Sequence, residues 1–117
     1  MKLKTGSGEI YFNPHLIANV HLNSDRSLLT MHFVDGTHMG FPADTDEDRM
    51  FAAEFLEKMT AEHPGFVAVE NEVLNLKSAL WITVPAEGPI QVRSADSRTR
   101  SIDEKGRERI CKLLAES

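Results

Sequence analysis

The feature that most constrains the fold of this chain is a segment whose pattern recurs 62 residues later. NPHLIANV at residues 13–20 aligns with NLKSALWI at residues 75–82, which places Asn13 against Asn75. The order and spacing of apolar residues stay similar well beyond these two octets, although few residues are identical. We therefore predict that one strand-rich unit is used twice, the alternative being a chance match between two β-rich halves.

The first copy is typical of a run of strands closed by a helix. Alternating apolar residues predict strands in EIYFN, IANVHL, SLLTMHFV and THMGF. Asp35 and Gly36 predict a two-residue type I′ hairpin turn, which would place His38 opposite Phe33. Thr45 is suited to cap the helix that follows, and HPG ends that helix.

The second copy repeats this order. FVAV, EVLNL, LWITV and IQVRS predict strands, and the next turn is expected at Asp96–Ser97. SIDEKGRERICKLLAE predicts the closing helix, with Ser101 and Glu104 as a capping box. The buried stripe of this helix is predicted to comprise Ile110, Leu113 and Leu114.

Together these elements predict an α+β fold of mostly antiparallel strands. A chain of 117 residues is expected to form one domain, residues 1–117. Within it we predict two β-β-β-α units in tandem, at approximately residues 2–62 and 65–116.

Positive charge is concentrated in the second copy. The net charge of −5 argues against a dedicated nucleic-acid binder, because such proteins usually carry a basic face. Residues 77–117 nevertheless hold 8 Lys/Arg against 6 Asp/Glu. A solvated strand-and-helix surface would explain this distribution. If the chain contacts DNA, the candidate residues are Arg93, Arg98, Arg100, Lys105 and Arg107.

No pattern in the sequence predicts catalysis, a metal or a cofactor. The five histidines lack the spacing of zinc ligands and are expected at solvent-facing strand positions. His21 and His32 would share one face, and His38 would point the other way. Neither a nucleophile elbow nor a glycine-rich phosphate loop occurs, so we expect a non-enzymatic binding protein without a cofactor.

The sequence also indicates a compartment. The N-terminus lacks a signal-peptide pattern, and no apolar segment is long enough to span a bilayer. The single cysteine, Cys111, cannot form an internal disulfide and is expected to be a small core residue. We therefore expect a cytoplasmic protein with no membrane partner.

Trp81 is the candidate interface residue. In the repeat alignment Trp81 takes the place of Asn19, which is expected to face outward from its strand. A tryptophan there would be exposed or buried between units or subunits, and burial between the two helices is the competing interpretation. The candidate partners are therefore DNA, which the net charge disfavours, and a protein partner or a second copy of the chain.

Taken as a whole, the chain resembles a LytTR-type domain, the DNA-binding module of many bacterial response regulators. In that family a helix precedes a segment that reads roughly F-x-R-x-H-R-S-x-x-V-N-L, and an apolar strand and a hairpin follow. GFVAVENEVLNL at residues 65–76 occupies this segment, with Phe66, Asn75 and Leu76 matching the pattern. The resemblance implies a transcription-associated regulatory role with DNA contact.

The departures from the family pattern fall where the family binds DNA. The basic-and-polar triplet is replaced by Glu70, Asn71 and Glu72, the arginine before it by Ala68, and the segment is one residue shorter than the family pattern. The later Ser-Arg pair becomes Asp103-Glu104, with Lys105 next in line. Carboxylates repel phosphates, and each lost cation removes about one released counterion from binding. The fold can therefore carry over without the DNA contact.

A second resemblance covers residues 2–59 only. FNPHLIANV is similar to the L-N-P-x-L-I segment of the small flagellar and swarming-motility family called FlbD or SwrD. That family has one such unit and implies a non-enzymatic, motility-associated role. The alternative function is therefore a protein–protein interaction domain that does not bind nucleic acid.

Overall fold

The structure, a computed structural model, describes residues 1–69, 72–95 and 98–115. The described residues form ten strands, two α-helices and two short 3₁₀ turns. The first half contains β1 (Lys2–Thr5), β2 (Gly8–Tyr11), a 3₁₀ turn (Pro14–Leu16), β3 (Ile17–Leu22), β4 (Leu28–Phe33), β5 (His38–Pro42) and α1 (Asp46–Glu62). The second half contains β6 (Phe66–Val69), β7 (Glu72–Asn75), a 3₁₀ turn (Leu76–Ser78), β8 (Trp81–Thr83), β9 (Ile90–Arg93), β10 (Thr99–Ile102) and α2 (Glu104–Ala115).

All the described strand pairs are antiparallel, and they form three sheets. β1 and β2 form a two-stranded ribbon, and β10, β9 and β8 form a three-stranded sheet in that order. The largest sheet has five strands in the order β5-β4-β3-β7-β6, so strands from both halves of the chain share it. The predicted α+β class with mostly antiparallel strands is confirmed. No helix in the described part of the chain is long and apolar enough to cross a membrane.

The same element order occurs twice along the chain. Two strands, a 3₁₀ turn, three strands and a helix follow one another in each half. Asn13 caps the first 3₁₀ turn by accepting a hydrogen bond from the His15 N–H, and Asn75 caps the second by accepting from the Lys77 N–H. Each half thus has two strands before its 3₁₀ turn. The sequence prediction gave both strands in the second half but only one in the first, because it missed β1. The bounds of the two units stay a prediction.

The β6–β7 hairpin contributes to two hydrophobic cores. Phe66 and Val73 join the core beneath α1, which also holds Phe55 and Met59. Their neighbours in sequence face the other way, because successive strand residues point to opposite faces. Val67, Val69 and Leu74 therefore pack in a second core with α2, β9 and β10. The partly buried Cys111 lies against that second core.

The β4–β5 hairpin differs from the prediction by one residue. His38 pairs with His32 rather than with Phe33. The Phe33 N–H donates to the carbonyl oxygen of Thr37 at 2.9 Å, so the loop between paired residues holds three residues, Val34 to Gly36. Gly36 has a positive φ of 90° and Asp35 does not, which excludes a type I′ turn. The Asp35 carboxylate accepts hydrogen bonds from the Thr37 hydroxyl and N–H, at 2.6 and 2.9 Å, which hold the pKa of Asp35 below its ordinary value. These side-chain bonds stabilise the longer loop.

The second helix begins later than predicted. Ser101 lies in β10, and Asp103 caps α2 by accepting a hydrogen bond from the Gly106 N–H at 2.8 Å. The strand extends to Ile102 because that side chain is buried opposite Ile90. Of the predicted stripe, Ile110 is buried and Leu113 is half-buried, whereas Leu114 is exposed and was wrongly included. The turn predicted at Asp96–Ser97 lies outside the described residues.

Gly106 permits the close approach of α2 to β10. A Cβ atom at this position would lie 2.5 Å from Cγ2 of Ile102, which is too close for any contact. We expect Gly106→Ala to lower the free energy of unfolding by about 1 kcal/mol, because overpacking outweighs the gain in helix propensity. Urea unfolding followed by circular dichroism measures this, with Arg109→Ala on the exposed face of the same helix as the control. A stabilised Gly106→Ala variant would contradict the expected clash.

Candidate nucleic-acid interface

One face of the five-stranded sheet is polar over its β3–β5 half. Val20, Leu22, Leu29 and Met31 point towards α1, so the residues between them point to the opposite face. Those residues lie in two cross-strand rows that the strand register defines. The rows are His38, His32 and Asn19, and Gly40, Thr30 and His21.

This polar half-face forms the floor of an open cavity of about 850 Å³. β10 and the segment before it form one wall, next to the β6–β7 hairpin. We call the cavity the histidine cleft and define it by its lining residues. They are His21, Thr30, His32, Gly36, His38, Val69, Glu72, Arg98, Arg100 and Ser101.

The three histidines of the cleft lie on one face of the sheet. His21 and His32 share that face as predicted, and the rings of His32 and His38 are 5.8 Å apart between centroids. The prediction that His38 points the other way was wrong, because the three-residue loop shifts β5 by one position and reverses its faces. Among the described residues, no three His, Cys, Asp or Glu side chains are arranged to hold a metal ion.

Arg100 is held inside the cleft wall by an ion pair. Its Nε donates to Oε2 and Oε1 of Glu72 at 2.7 and 3.0 Å, and its Nη1 donates to Oγ of Ser94 at 2.9 Å. Only 11% of the Arg100 side chain and 24% of the Glu72 side chain are exposed. Glu72 therefore neutralises one of the candidate DNA-contacting arginines.

The other candidate cations lie in different surroundings. Arg98 is exposed and lines the cleft. Arg107 donates to the carbonyl oxygens of Pro85 and Gly88 at 3.0 and 2.8 Å, so it holds the loop between β8 and β9. The side chain of Lys105, like residues Glu70 and Asn71, lies outside the described part of the structure.

Arg93 is associated with Trp81 rather than with the cleft. Its guanidinium carbon lies 5.6 Å from the centroid of the Trp81 ring, and its Nη1 donates to Oγ1 of Thr99 at 3.0 Å. A cation over an aromatic face at this distance is attracted by the ring electrons. The structure thus brings Arg98 and Arg100 together at the cleft and places Arg93 and Arg107 elsewhere.

Trp81 and Asn19 occupy matching places in the repeat but differ in exposure. Asn19 points to the face opposite α1, but it is fully buried there beside Leu74 of the second core, so the expectation that it faces outward into solvent was wrong. Trp81 is 51% exposed, which excludes burial between the two helices. Its assignment as an interface residue stays a prediction.

Sequence reasoning missed the histidine cleft as a site. The signal was present as polar residues at alternate positions of three consecutive predicted strands, in IANVHL, SLLTMHFV and THMGF. Each strand was interpreted singly as half-exposed. The cleft becomes visible only when the register aligns these residues and β10 is placed beside them.

The fold is similar to that of the LytTr DNA-binding domain of a protein described as a methyl-accepting/DNA response regulator from Bacillus cereus. The two structures superpose with a TM-score of 0.62 at 11% sequence identity, over 97% of this chain and 94% of that chain. The predicted LytTR-type fold is thereby confirmed. A scan of protein-family models and a search of curated proteins give no match.

Proposed function

We propose that this chain is a non-enzymatic, DNA-binding regulatory module that contacts phosphates from the wall of the histidine cleft. The observation that supports the proposal is the fold, which is shared over nearly its full length with a LytTr DNA-binding domain. The exposed Arg98 is the principal phosphate contact in this proposal. Histidine and threonine side chains on the cleft floor supply further donors for phosphate oxygens.

The charges around the cleft make this binding weak, with only a small dependence on salt. The chain carries a net charge of −5, and Glu72 neutralises Arg100. Few condensed counterions are therefore released when duplex DNA binds, and the slope of affinity against salt is shallow. We expect affinity in the range of non-specific binding, with a Kd of about 10⁻⁴ to 10⁻⁶ M.

Replacing Arg98 with alanine tests the location of the interface. We expect the variant to bind random duplex several-fold more weakly, and the salt slope to fall by about one unit. The measurement is fluorescence anisotropy with labelled duplex over a salt series that begins at low salt. Lys58→Ala is the matched control, because Lys58 is an exposed cation on α1, which packs on the opposite face of the sheet.

Each outcome of this titration decides between interpretations. A selective loss with Arg98→Ala supports the cleft as the interface. Equal losses with Arg98→Ala and Lys58→Ala would indicate diffuse electrostatic attraction over the surface rather than binding at the cleft. No binding of the unmodified chain at low salt would overturn the DNA-binding proposal and favour a protein-interaction domain without nucleic-acid contact.

A further inference from the structure

The edge of β3 is paired with the β6–β7 hairpin, whereas the matching edge of β8 is paired with no described strand. In the five-stranded sheet, β7 adds to the outer edge of the β3–β4–β5 group. The ladder is three pairs long, and it joins Asn19 to Leu74, Val20 to Val73 and His21 to Glu72. This ladder is the strand pairing that joins the second copy of the repeat to the first.

β8 is the counterpart of β3 in the second copy. The repeat offset that aligns Asn13 with Asn75 also aligns Asn19–His21 with Trp81–Thr83, which is the whole of β8. Both strands pair with the next strand in the same way, and Ile82 opposite Val92 takes the place of Val20 opposite Met31. β8 is the last strand of its sheet, and no described residue pairs with its outer edge.

β2 and the residue after it are the counterpart of β7 in the first copy. The same offset aligns Glu72–Leu74 with Ile10–Phe12. β2 pairs with β1 alone among the described strands, so its outer edge is available as well. One molecule therefore carries both halves of the contact that β7 and β3 make internally.

Side chains are buried at the paired strand edges and exposed at the matching unpaired edges. Val73 on β7 is 3% exposed, whereas its counterpart Tyr11 is 71% exposed. Along β3, residues 18, 19 and 22 are buried. Their counterparts are Leu80, Trp81 and Val84, in β8 or directly next to it, at 61%, 51% and 42% exposed. Four large apolar or aromatic side chains thus remain in solvent where the internal contact would bury them.

We propose that β2 of one copy of this chain adds to the free edge of β8 of a second copy. The internal ladder predicts the register, which joins Ile82 to Tyr11 of the second copy and Trp81 to Phe12 of the second copy. In the internal contact, Nδ2 of Asn75 donates to the carbonyl oxygen of Ile17 at 2.8 Å. Asn13 of the second copy occupies the corresponding place opposite the carbonyl oxygen of Ala79.

The interaction is head-to-tail, because the two edges belong to different halves of the chain. Each added copy leaves one free β2 edge and one free β8 edge, so assembly continues beyond a dimer. Backbone hydrogen bonds along the added strand supply affinity, and the exposed aromatic side chains supply specificity. The interaction is independent of DNA binding, since neither edge lines the histidine cleft.

A mixing experiment with two blocked variants tests this geometry. Tyr11→Asp blocks the β2 edge, and Trp81→Asp blocks the β8 edge. By sedimentation velocity from low micromolar to millimolar concentration, we expect the unmodified chain to form species that grow with concentration. We expect each variant alone to lose all species larger than the monomer. An equimolar mixture is expected to form a one-to-one complex that grows no further, because only one pair of intact edges remains.

Controls separate edge blocking from misfolding. Met50→Asp changes an exposed apolar residue on α1 and should assemble as the unmodified chain does. Leu80→Lys is a second block of the β8 edge, and circular dichroism verifies that every variant is folded. An unmodified chain that stays monomeric throughout would overturn the proposal. Two folded, blocked variants that fail to form a complex on mixing would also overturn it, as would Tyr11→Asp assembling normally.

Discussion

Asn75→Ala is expected to lower the free energy of unfolding by about 2 kcal/mol, since it removes the shortest hydrogen bond to the buried carbonyl oxygen of Ile17 and leaves that oxygen only the Ser78 hydroxyl at 3.5 Å. The Asn75 side chain is 6% exposed and bonds two segments that are far apart in sequence. Its Nδ2 donates to the carbonyl oxygen of Ile17 at 2.8 Å, and its Oδ1 accepts from the Lys77 N–H at 3.1 Å. The variant removes these two bonds, and the longer bond of 3.4 Å from Nδ2 to the carbonyl oxygen of Pro14, at the point where the two halves of the chain meet. Urea unfolding followed by far-UV circular dichroism measures the loss.

Asn13→Ala is the matched control that the repeat provides. Asn13 caps its 3₁₀ turn in the same way, with Oδ1 accepting from the His15 N–H at 3.0 Å, but the residue is exposed. Losing a cap alone is expected to lower stability by about 1 kcal/mol or less. Equal losses for Asn13→Ala and Asn75→Ala would show that capping, rather than the bond to Ile17, accounts for the effect of Asn75.

The repeated asparagine shows which part of the fold can be predicted from sequence. Apolar spacing and short-range capping are local properties, so the sequence alone assigns Asn13 and Asn75 to equivalent places. The class of the fold followed from the same periodicity. β1 was missed because Lys2–Thr5 contains a single apolar residue, Leu3, which is too few to show an alternation.

Strand register and loop length are less accessible from sequence. The loop after Phe33 holds three residues rather than two, and this difference of one residue reverses the faces of β5. It moves His38 from the predicted opposite face to the side of His32. The Asp35 carboxylate accepts two hydrogen bonds from Thr37, and these bonds stabilise the three-residue loop. The Asp-Gly pair by itself favours the two-residue turn.

The candidate site depended on a contact between residues that are distant in sequence. Arg100 was identified as a DNA-contacting candidate because it lies in a basic stretch. Its partner Glu72 lies 28 residues earlier in the chain, and the alignment to the LytTR pattern indicated only that a carboxylate had replaced a polar residue. Pairing across two sheets cannot be inferred from local charge. This pairing changes the role expected of Arg100 from binding phosphate to holding β10 against the β6–β7 hairpin.

Replacing Arg100 with alanine is therefore expected to destabilise the fold by about 2 to 3 kcal/mol, below the range for fully buried pairs because Glu72 is partly exposed. The variant leaves the Glu72 carboxylate and the Ser94 hydroxyl without the guanidinium that bonds both. The loss should be smaller in the double variant Glu72→Leu with Arg100→Met, because no unpaired charge then remains in the cleft wall. Thermal and urea unfolding of the single and double variants measure the difference.

Arg100→Lys separates the structural role from a role in binding DNA. Lysine keeps the positive charge but cannot bond both Glu72 oxygens and Ser94 with one planar group. If Arg100 holds the wall, Arg100→Lys loses much of the stability that Arg100→Ala loses, while its DNA affinity at low temperature stays near that of the unmodified chain. If Arg100 instead binds phosphate, both variants keep the stability of the unmodified chain. Only Arg100→Ala then weakens DNA binding, because Arg100→Lys keeps the positive charge. Measuring unfolding and anisotropy on the same two variants therefore distinguishes a phosphate contact from a residue that shapes the cleft for Arg98.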